Sequence, residues 1–262
     1  MLQPLWEPSE ERKKASNMYR FMQQVNGTYG KQFTDYDELY QWSVINIANF
    51  WAEVWKFAGI KAAKAYNQVV DDAGKMPGAT WFSGSRLNFA ENLLRYRDNQ
   101  PALVFRGEDA IRKTLTYREL FAAVAKVAAS LRIAGIVPGD RVVGFMPNMP
   151  ESIIAMLAAT SIGATWSSCS PDFGIKGVLD RFGQTKPRIL FTADGYFFKG
   201  KPLDSLAKIG GITKEIPSLE KIVVVPYITE KPDLTFLPKA IHYAEFTNNE
   251  AAEIDFTQLP FD

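Results

Sequence analysis

The sequence has very little of the two residues that most often carry catalytic or metal chemistry: one cysteine and one histidine in 262 residues. A lone Cys169 cannot close an internal disulfide, which excludes a small scaffold stapled by such bonds. Cys169 and His242 together cannot supply the usual zinc ligand sets. Any Ser-His-Asp or Cys-His mechanism would have to use His242. No apolar run reaches the ~18 residues that a membrane span requires, and residues 1–14 are charged early with no apolar signal core. There is no charge excess either. Lys and Arg number 30 against 29 Asp and Glu, a net charge of +1, so nothing in the bulk electrostatics calls for a polyanionic partner. These absences predict a cytoplasmic protein with no nucleic-acid and no membrane partner.

What is present is apolar material for a core and an uneven distribution of tryptophan. Hydrophobic residues make up 47% of the chain, ordinary for a globular protein. Trp6, Trp42, Trp51, Trp55 and Trp81 precede position 82, and only Trp166 follows. The first 100 residues therefore read as a Trp-rich helical segment packing on the body, and 101–262 as an α/β region. Within the first part, Thr34 and Asp37 have capping-box-like spacing. Tyr40, Val44, Ile47, Trp51, Val54 and Trp55 then follow one helical stripe, which predicts a single helix over 35–58 ended by Gly59. Residues 71–79, with Gly74, Pro77 and Gly78, read as a loop. Leu87, Ala90, Leu93 and Leu94 predict a helix within 81–97, broken by Pro101. Residues 102–105 and 111–115, joined by a turn at Gly107, Glu108 and Asp109, predict a β-hairpin.

From Thr116 the pattern becomes regular. Thr116 and Glu119 form a capping box ahead of an apolar face through Leu120, Val124, Val127 and Leu131. Strands at 141–146, 164–169, 188–192 and 221–225 then alternate with helices that start near Pro150, after Asp172 and around 203–216. A short strand is expected at 241–243. Strand alternating with helix at this spacing predicts a doubly wound parallel sheet with helices on both faces. Ligands of such sheets bind beyond the carboxyl ends of the strands. Those ends are Met146 to Asn148, Cys169 to Asp172, Thr192 to Gly195, and Pro226 with Tyr227.

No G-x-G-x-x-G follows any of these strands, which argues against a dinucleotide enzyme. Residues 195–201 imitate the P-loop spacing G-x-x-x-x-G-K, but Pro202 stands where a magnesium-binding hydroxyl is needed, so a Walker A loop is rejected. Lys199, Gly200 and Lys201 keep a smaller possibility, an anion met just past a strand end, against the plain reading of a solvated turn. Asp35 with Asp37 suits a helix start. Asp71 with Asp72 lies in the Gly/Pro loop. His242 reads as a strand or surface histidine and Cys169 as a buried small residue.

Several stretches together resemble the N-terminal part of the acetoacetyl-CoA synthetases, a family of AMP-forming acyl-CoA synthetases in the adenylate-forming superfamily. The most specific runs from Trp81 to Leu94 (WFSGSRLNFAENLL). It is joined by Trp166 to Gly174 (WSSCSPDFG), Phe191 to Tyr196 (FTADGY) and the opening Leu5 to Ser9 (LWEPS). Leu115 to Leu120 is similar to the first core motif of the superfamily, and Ala159 to Ser168 to the second.

The resemblance implies part of the large N-terminal domain of the adenylate-forming fold. It also implies a reaction in which acetoacetate and ATP, with Mg, give an acyl-adenylate that CoA converts to acetoacetyl-CoA and AMP. The family's phosphate loop for ATP is expected after Asp262, and its mobile C-terminal domain later still. The 262 residues are therefore expected to be an N-terminal fragment, inactive alone in adenylation, with no residue assigned a catalytic role. Part of a CoA surface remains. Acetate-activating relatives carry R-x-G-R after the corresponding strand, where it meets CoA phosphates. Here the stretch is Phe198, Lys199, Gly200 and Lys201. Lysine keeps the charge of arginine but not its bidentate fork. Pro171 and Asp172 replace a neighbouring Gly-Gly of those relatives. Lys199, Gly200, Lys201, Pro171 and Asp172 are accordingly the candidate CoA-binding residues. The alternatives are an acetyl-CoA or other short-chain acyl-CoA synthetase fragment, a doubly wound hydrolase dependent on His242, and a non-catalytic module binding through its tryptophans.

Overall fold

A computed structural model describes residues 5–108 and 111–262. The turn residue Asp109 lies outside the described residues. The chain divides into two compact units, residues 1–86 with 260–262, and residues 87–259. Among the described residues, no helix is long and apolar enough to cross a membrane.

The first unit contains α1 (Glu10–Lys14), α2 (Asn17–Tyr29), α3 (Tyr36–Ile45), α4 (Ile47–Phe57), β1 (Gln68–Val70) and β2 (Trp81–Ser83), with β3 (Arg86–Leu87) at its edge. The helix expected over 35–58 is two helices. Asn46 breaks it at φ −113°, ψ 52°, and its side-chain amide and backbone N–H both donate to the Trp42 carbonyl. An asparagine that bonds nearby backbone in this way competes with the helical ladder. The cap also sits one residue later than expected. Asp35 accepts from the Glu38 N–H, while Glu38 accepts from the Thr34 N–H. Phe21, Met22 and Val25 of α2 and Leu39 and Trp42 of α3 form the core of this unit. Glu53 of α4 is 1% exposed. Burial raises its pKa, but bonds from Lys56 and Gln24, both 2.8 Å, outweigh burial and leave it below the ordinary value.

The helix expected within 81–97 is shorter, α5 (Phe89–Leu93). Residues 81–83 form a strand instead, and positive φ at Phe82 and Gly84 turns the chain out of helical geometry. Asn88 then caps α5 by accepting from the Glu91 N–H.

The second unit continues with the antiparallel hairpin β4 (Pro101–Arg106) and β5 (Arg112–Thr116), as the sequence predicts. Then come α6 (Tyr117–Ile133), β6 (Arg141–Phe145), α7 (Pro150–Ser161), β7 (Thr165–Cys169), α8 (Ile175–Thr185) and β8 (Ile189–Ala193). They are followed by β9 (Gly195–Phe198), β10 (Lys201–Asp204), α9 (Leu206–Glu215), β11 (Lys221–Val225), β12 (Ala240–His242) and α10 (Tyr243–Phe246). The Thr116/Glu119 capping box is complete in both directions. The five-stranded sheet has the order β12-β11-β8-β6-β7, and every pairing in it is parallel.

Alternation of side chains along the strands explains the two helix layers. Val142, Ile189, Phe191 and Val223 face one core with Leu120 and Val124 of α6 and Ile154 and Leu157 of α7. Their neighbours Val143, Phe145, Leu190 and Ile222 face a second core with Val178 and Phe182 of α8 and Ile209 and Ile212 of α9. The doubly wound reading thus holds at the level of individual residues. At the amino ends of the strands, Arg188 joins β8 to its neighbours. It makes a two-bonded fork to Glu220, both arms 2.8 Å, and also bonds Asp140.

Candidate functional site

The strand order places a topological switch between β6 and β8. From β6 the chain first steps to β7 on one side, then crosses to β8 on the other. At such a point the loops at the carboxyl ends diverge and leave a crevice. A cavity of about 330 Å³ lies there. Its walls are Met146 to Asn148 after β6, Ser168 to Asp172 at the end of β7, Tyr196 to Phe198 on β9, Ser152 of α7, and Glu108. A larger cavity, about 450 Å³, lies between α9 and residues 236–239. Of its two lysines, Lys214 and Lys239, the second is engaged by the Leu219 carbonyl at 2.6 Å, and the cavity lies by the amino ends of β11 and β12, away from the carboxyl ends of the sheet. The switch-point crevice is therefore the candidate site.

Pro171 and Asp172 are on its wall. Asp172 is held locally, accepting from the Ser170 hydroxyl at 3.0 Å. Lys208 of α9 reaches back and donates to the Pro171 carbonyl at 2.9 Å. Burial first, and then the nearby Asp172 carboxylate, push the Tyr196 phenol above its ordinary pKa. The side chain therefore stays protonated as a donor at neutral pH.

Lys199, Gly200 and Lys201 do not line this cavity. They form the tip of a hairpin that the sequence reading missed, because it took 203–216 as one helical stretch. Phe198 pairs with Lys201, leaving Lys199 and Gly200 as a two-residue turn with φ of 51° and 74°. Positive φ at both central residues is the mirror-type hairpin turn, and glycine at the second is its usual signature. The P-loop imitation 195–201 is thus two strands and a tight turn, not a loop curled around phosphate. Both lysines are exposed. Lys199 lies over the Phe198 ring, 5.4 Å from its centre. The Gly200 N–H points at Glu108, whose carboxylate accepts at 3.1 Å. The hairpin tip and the cavity wall therefore meet through Phe198 and Glu108. Asn148 lies at a strand end that the sequence reading names, but Glu108, Tyr196 and Lys208 were not singled out as site residues in sequence. The four lie on separate segments, and the switch point of the folded sheet brings Glu108, Asn148 and Tyr196 together on one cavity wall.

The remaining candidates are structural. Cys169 is buried, and desolvation raises its thiol pKa against a smaller lowering by Arg181, so it is no thiolate nucleophile. His242 ends β12, and among the described residues no hydrogen bond joins it to a serine or a carboxylate, which leaves the hydrolase triad without its geometry. Trp42 is buried, Trp55 packs against Phe82 and Tyr66, and Trp51 is half exposed, so the three form no common platform. Among the described residues no group of three or more His, Cys, Asp or Glu is placed to hold a metal. Magnesium accordingly has no ligand assigned to it here.

Helices on both faces of a parallel sheet, a crevice at the switch point and no dinucleotide glycines define the class. The family model described as "AMP-binding enzyme" matches residues 89–253, and that described as "Acetyl-coenzyme A synthetase N-terminus" matches 36–93. The chain belongs to the AMP-binding enzyme family. It is 44% identical to the acetoacetyl-CoA synthetase of Macaca fascicularis, covering 99% of this chain and 40% of that protein. It is 41% identical to the acetoacetyl-coenzyme A synthetase of Rhizobium meliloti, covering 98% and 40%. A malonamoyl-CoA synthetase of Penicillium aethiopicum is 35% identical, covering 98% and 37%. The solved structure of acetoacetyl-CoA synthetase from Streptomyces lividans superposes with a TM-score of 0.91 at 37% identity, over 100% of this chain and 40% of that one. The chain thus spans about 40% of the length of the relatives it matches.

Proposed function

We propose that this chain forms the N-terminal part of an acetoacetyl-CoA synthetase, an AMP-forming acid-thiol ligase. The observation that carries this reading is its likeness to acetoacetyl-CoA synthetases over nearly all of its residues. In the reaction, acetoacetate attacks ATP to give acetoacetyl-adenylate and pyrophosphate. The CoA thiol then displaces AMP to give the thioester. None of the 262 residues is assigned to adenylation. Their part is the scaffold and one side of the CoA surface, with Lys199 and Lys201 meeting phosphate at the hairpin tip and Pro171 and Asp172 walling the adjacent crevice.

The test is made on the product of the complete reading frame that encodes this chain. Acetoacetate-dependent exchange of pyrophosphate into ATP, followed by CoA-dependent thioester formation, is the expected result. Exchange driven by acetate or malonamate but not by acetoacetate overturns the substrate. Within the same protein, Lys201→Ala is expected to raise the KM for CoA about three- to tenfold, the loss of one exposed charge-assisted contact. An unchanged CoA KM removes the phosphate role of Lys201.

A further inference from the structure

Lys208 is held by a backbone carbonyl rather than by a carboxylate. It is half-buried on α9, and among the described residues it has no carboxylate within ion-pair distance, while ten other pairs are formed. Its ammonium instead donates to the backbone carbonyl of Pro171, 37 residues away, at 2.9 Å. The same ammonium lies 5.9 Å from the centre of the Tyr196 ring, which is 8% exposed. Tyr196 and Pro171 are both walls of the switch-point crevice. Lys208 therefore bridges the loop after β7 and the strand β9, the two sides of the crevice, from behind.

Pro171 explains why such a tie is needed. Proline has no N–H to anchor its segment. Its loop is held locally by the Ser170–Asp172 bonds and by the Phe173 N–H, which donates to the Ser170 carbonyl at 3.2 Å; across the crevice Asp172 also interacts with the Tyr196 phenol. The charge-assisted bond from α9 adds a restraint on the backbone of the loop itself, at Pro171, which neither the local bonds nor the Asp172 side chain gives.

We propose that Lys208 is a positioning residue for the thiol-acceptor step, acting through Pro171 to fix the wall of the crevice against which CoA binds. This rests on the reading of the crevice as part of the CoA surface. Pyrophosphate exchange reads adenylation and thioester formation reads the thiol step, so the two half-reactions separate the proposal from a general structural role.

The experiment uses the product of the complete reading frame and compares Lys208→Met with Lys208→Arg. Methionine keeps the apolar stem and removes the donor; arginine restores a donor and the cation. Lys208→Met is expected to raise the KM for CoA about tenfold, the order of one lost charge-assisted bond. The KM values for ATP and acetoacetate in pyrophosphate exchange should stay within about twofold. Lys208→Arg should recover most of the CoA KM. A CoA KM within twofold of the parent in Lys208→Met overturns the proposal, as does a parallel loss in exchange and thioester formation, which marks a residue needed for the fold alone. If the parent protein performs exchange but shows no saturable dependence on CoA, the CoA reading itself fails, and that outcome is distinct from the first two.

Discussion

Asp194→Ala is expected to lower the unfolding free energy by about 3 kcal/mol, which for a chain of this size corresponds to a drop of roughly 6–12 °C in Tm. Asp194 directly follows the central strand β8 and is 2% exposed. Its carboxylate accepts four bonds. One oxygen takes the N–H groups of Tyr227 and Ile228 at 2.7 and 3.0 Å. The other takes the Thr229 N–H at 2.9 Å and the Thr229 hydroxyl at 2.7 Å. The chain leaving β11 is thus folded over the sheet end by a single side chain. Alanine leaves three backbone donors without that acceptor, and such groups cost roughly 1–3 kcal/mol each when buried, less where water can reach them. Asp194→Asn keeps one acceptor oxygen but turns an amide NH₂ toward the Thr229 N–H, so about half the loss is expected. Urea denaturation of the three proteins checks the order. A loss under about 1 kcal/mol for the alanine variant would falsify the assignment of Asp194 as the anchor of residues 227–229.

Asp194 also shows where sequence reasoning stops. The strand ahead of it was legible because Ile189 to Phe191 is apolar and bounded by Pro187, and its carboxyl end, Thr192 to Gly195, reads as a place where ligands gather, whereas Asp194 there binds backbone. Nothing in a linear pattern separates an aspartate that meets ligand from one that collects backbone amides 33 to 35 residues downstream. The same limit explains the two helices misjudged in the first unit. Tyr40 and Val44 have helical spacing with Trp51 and Trp55, yet Asn46 ends one helix and starts another, and both Tyr40 and Val44 are exposed. Period predicts an amphipathic stripe but not a local side-chain bond that interrupts it. By contrast the regular part, from Thr116 to Val225, was legible almost throughout. There capping, apolar alternation and glycine stops point to the same answer. The missed element was the β9–β10 hairpin. Its three consecutive aromatic residues masked a tight turn whose one signal was glycine at position 200.

Gly195→Ala is expected to damage the same region by a different route, overpacking, at a cost of about 3 kcal/mol. Gly195 begins β9 and pairs with Asp204. A methyl group at this position would collide with the backbone carbonyl of Leu203 and with the side chain of Ile228. The isoleucine can move, but the carbonyl belongs to the partner strand, so relief requires the hairpin to shift. The consequence reaches the proposed CoA surface, because that hairpin carries Lys199 to Lys201 at its tip and Tyr196 to Phe198 along the crevice. Hydrogen exchange is therefore expected to quicken at the amides of β9 and β10 before the rest of the sheet responds. Gly183→Ala is the matched control. Gly183 lies within α8, and a methyl group there meets nothing within 4 Å. The same substitution should stabilise the protein by roughly 0.5–1 kcal/mol through helix propensity alone. Opposite signs for one chemical change at two glycines test the packing argument independently of any assay of activity. If Gly195→Ala is as well tolerated as Gly183→Ala, the close approach of β9 and β10 at Leu203 is not a feature of the folded chain.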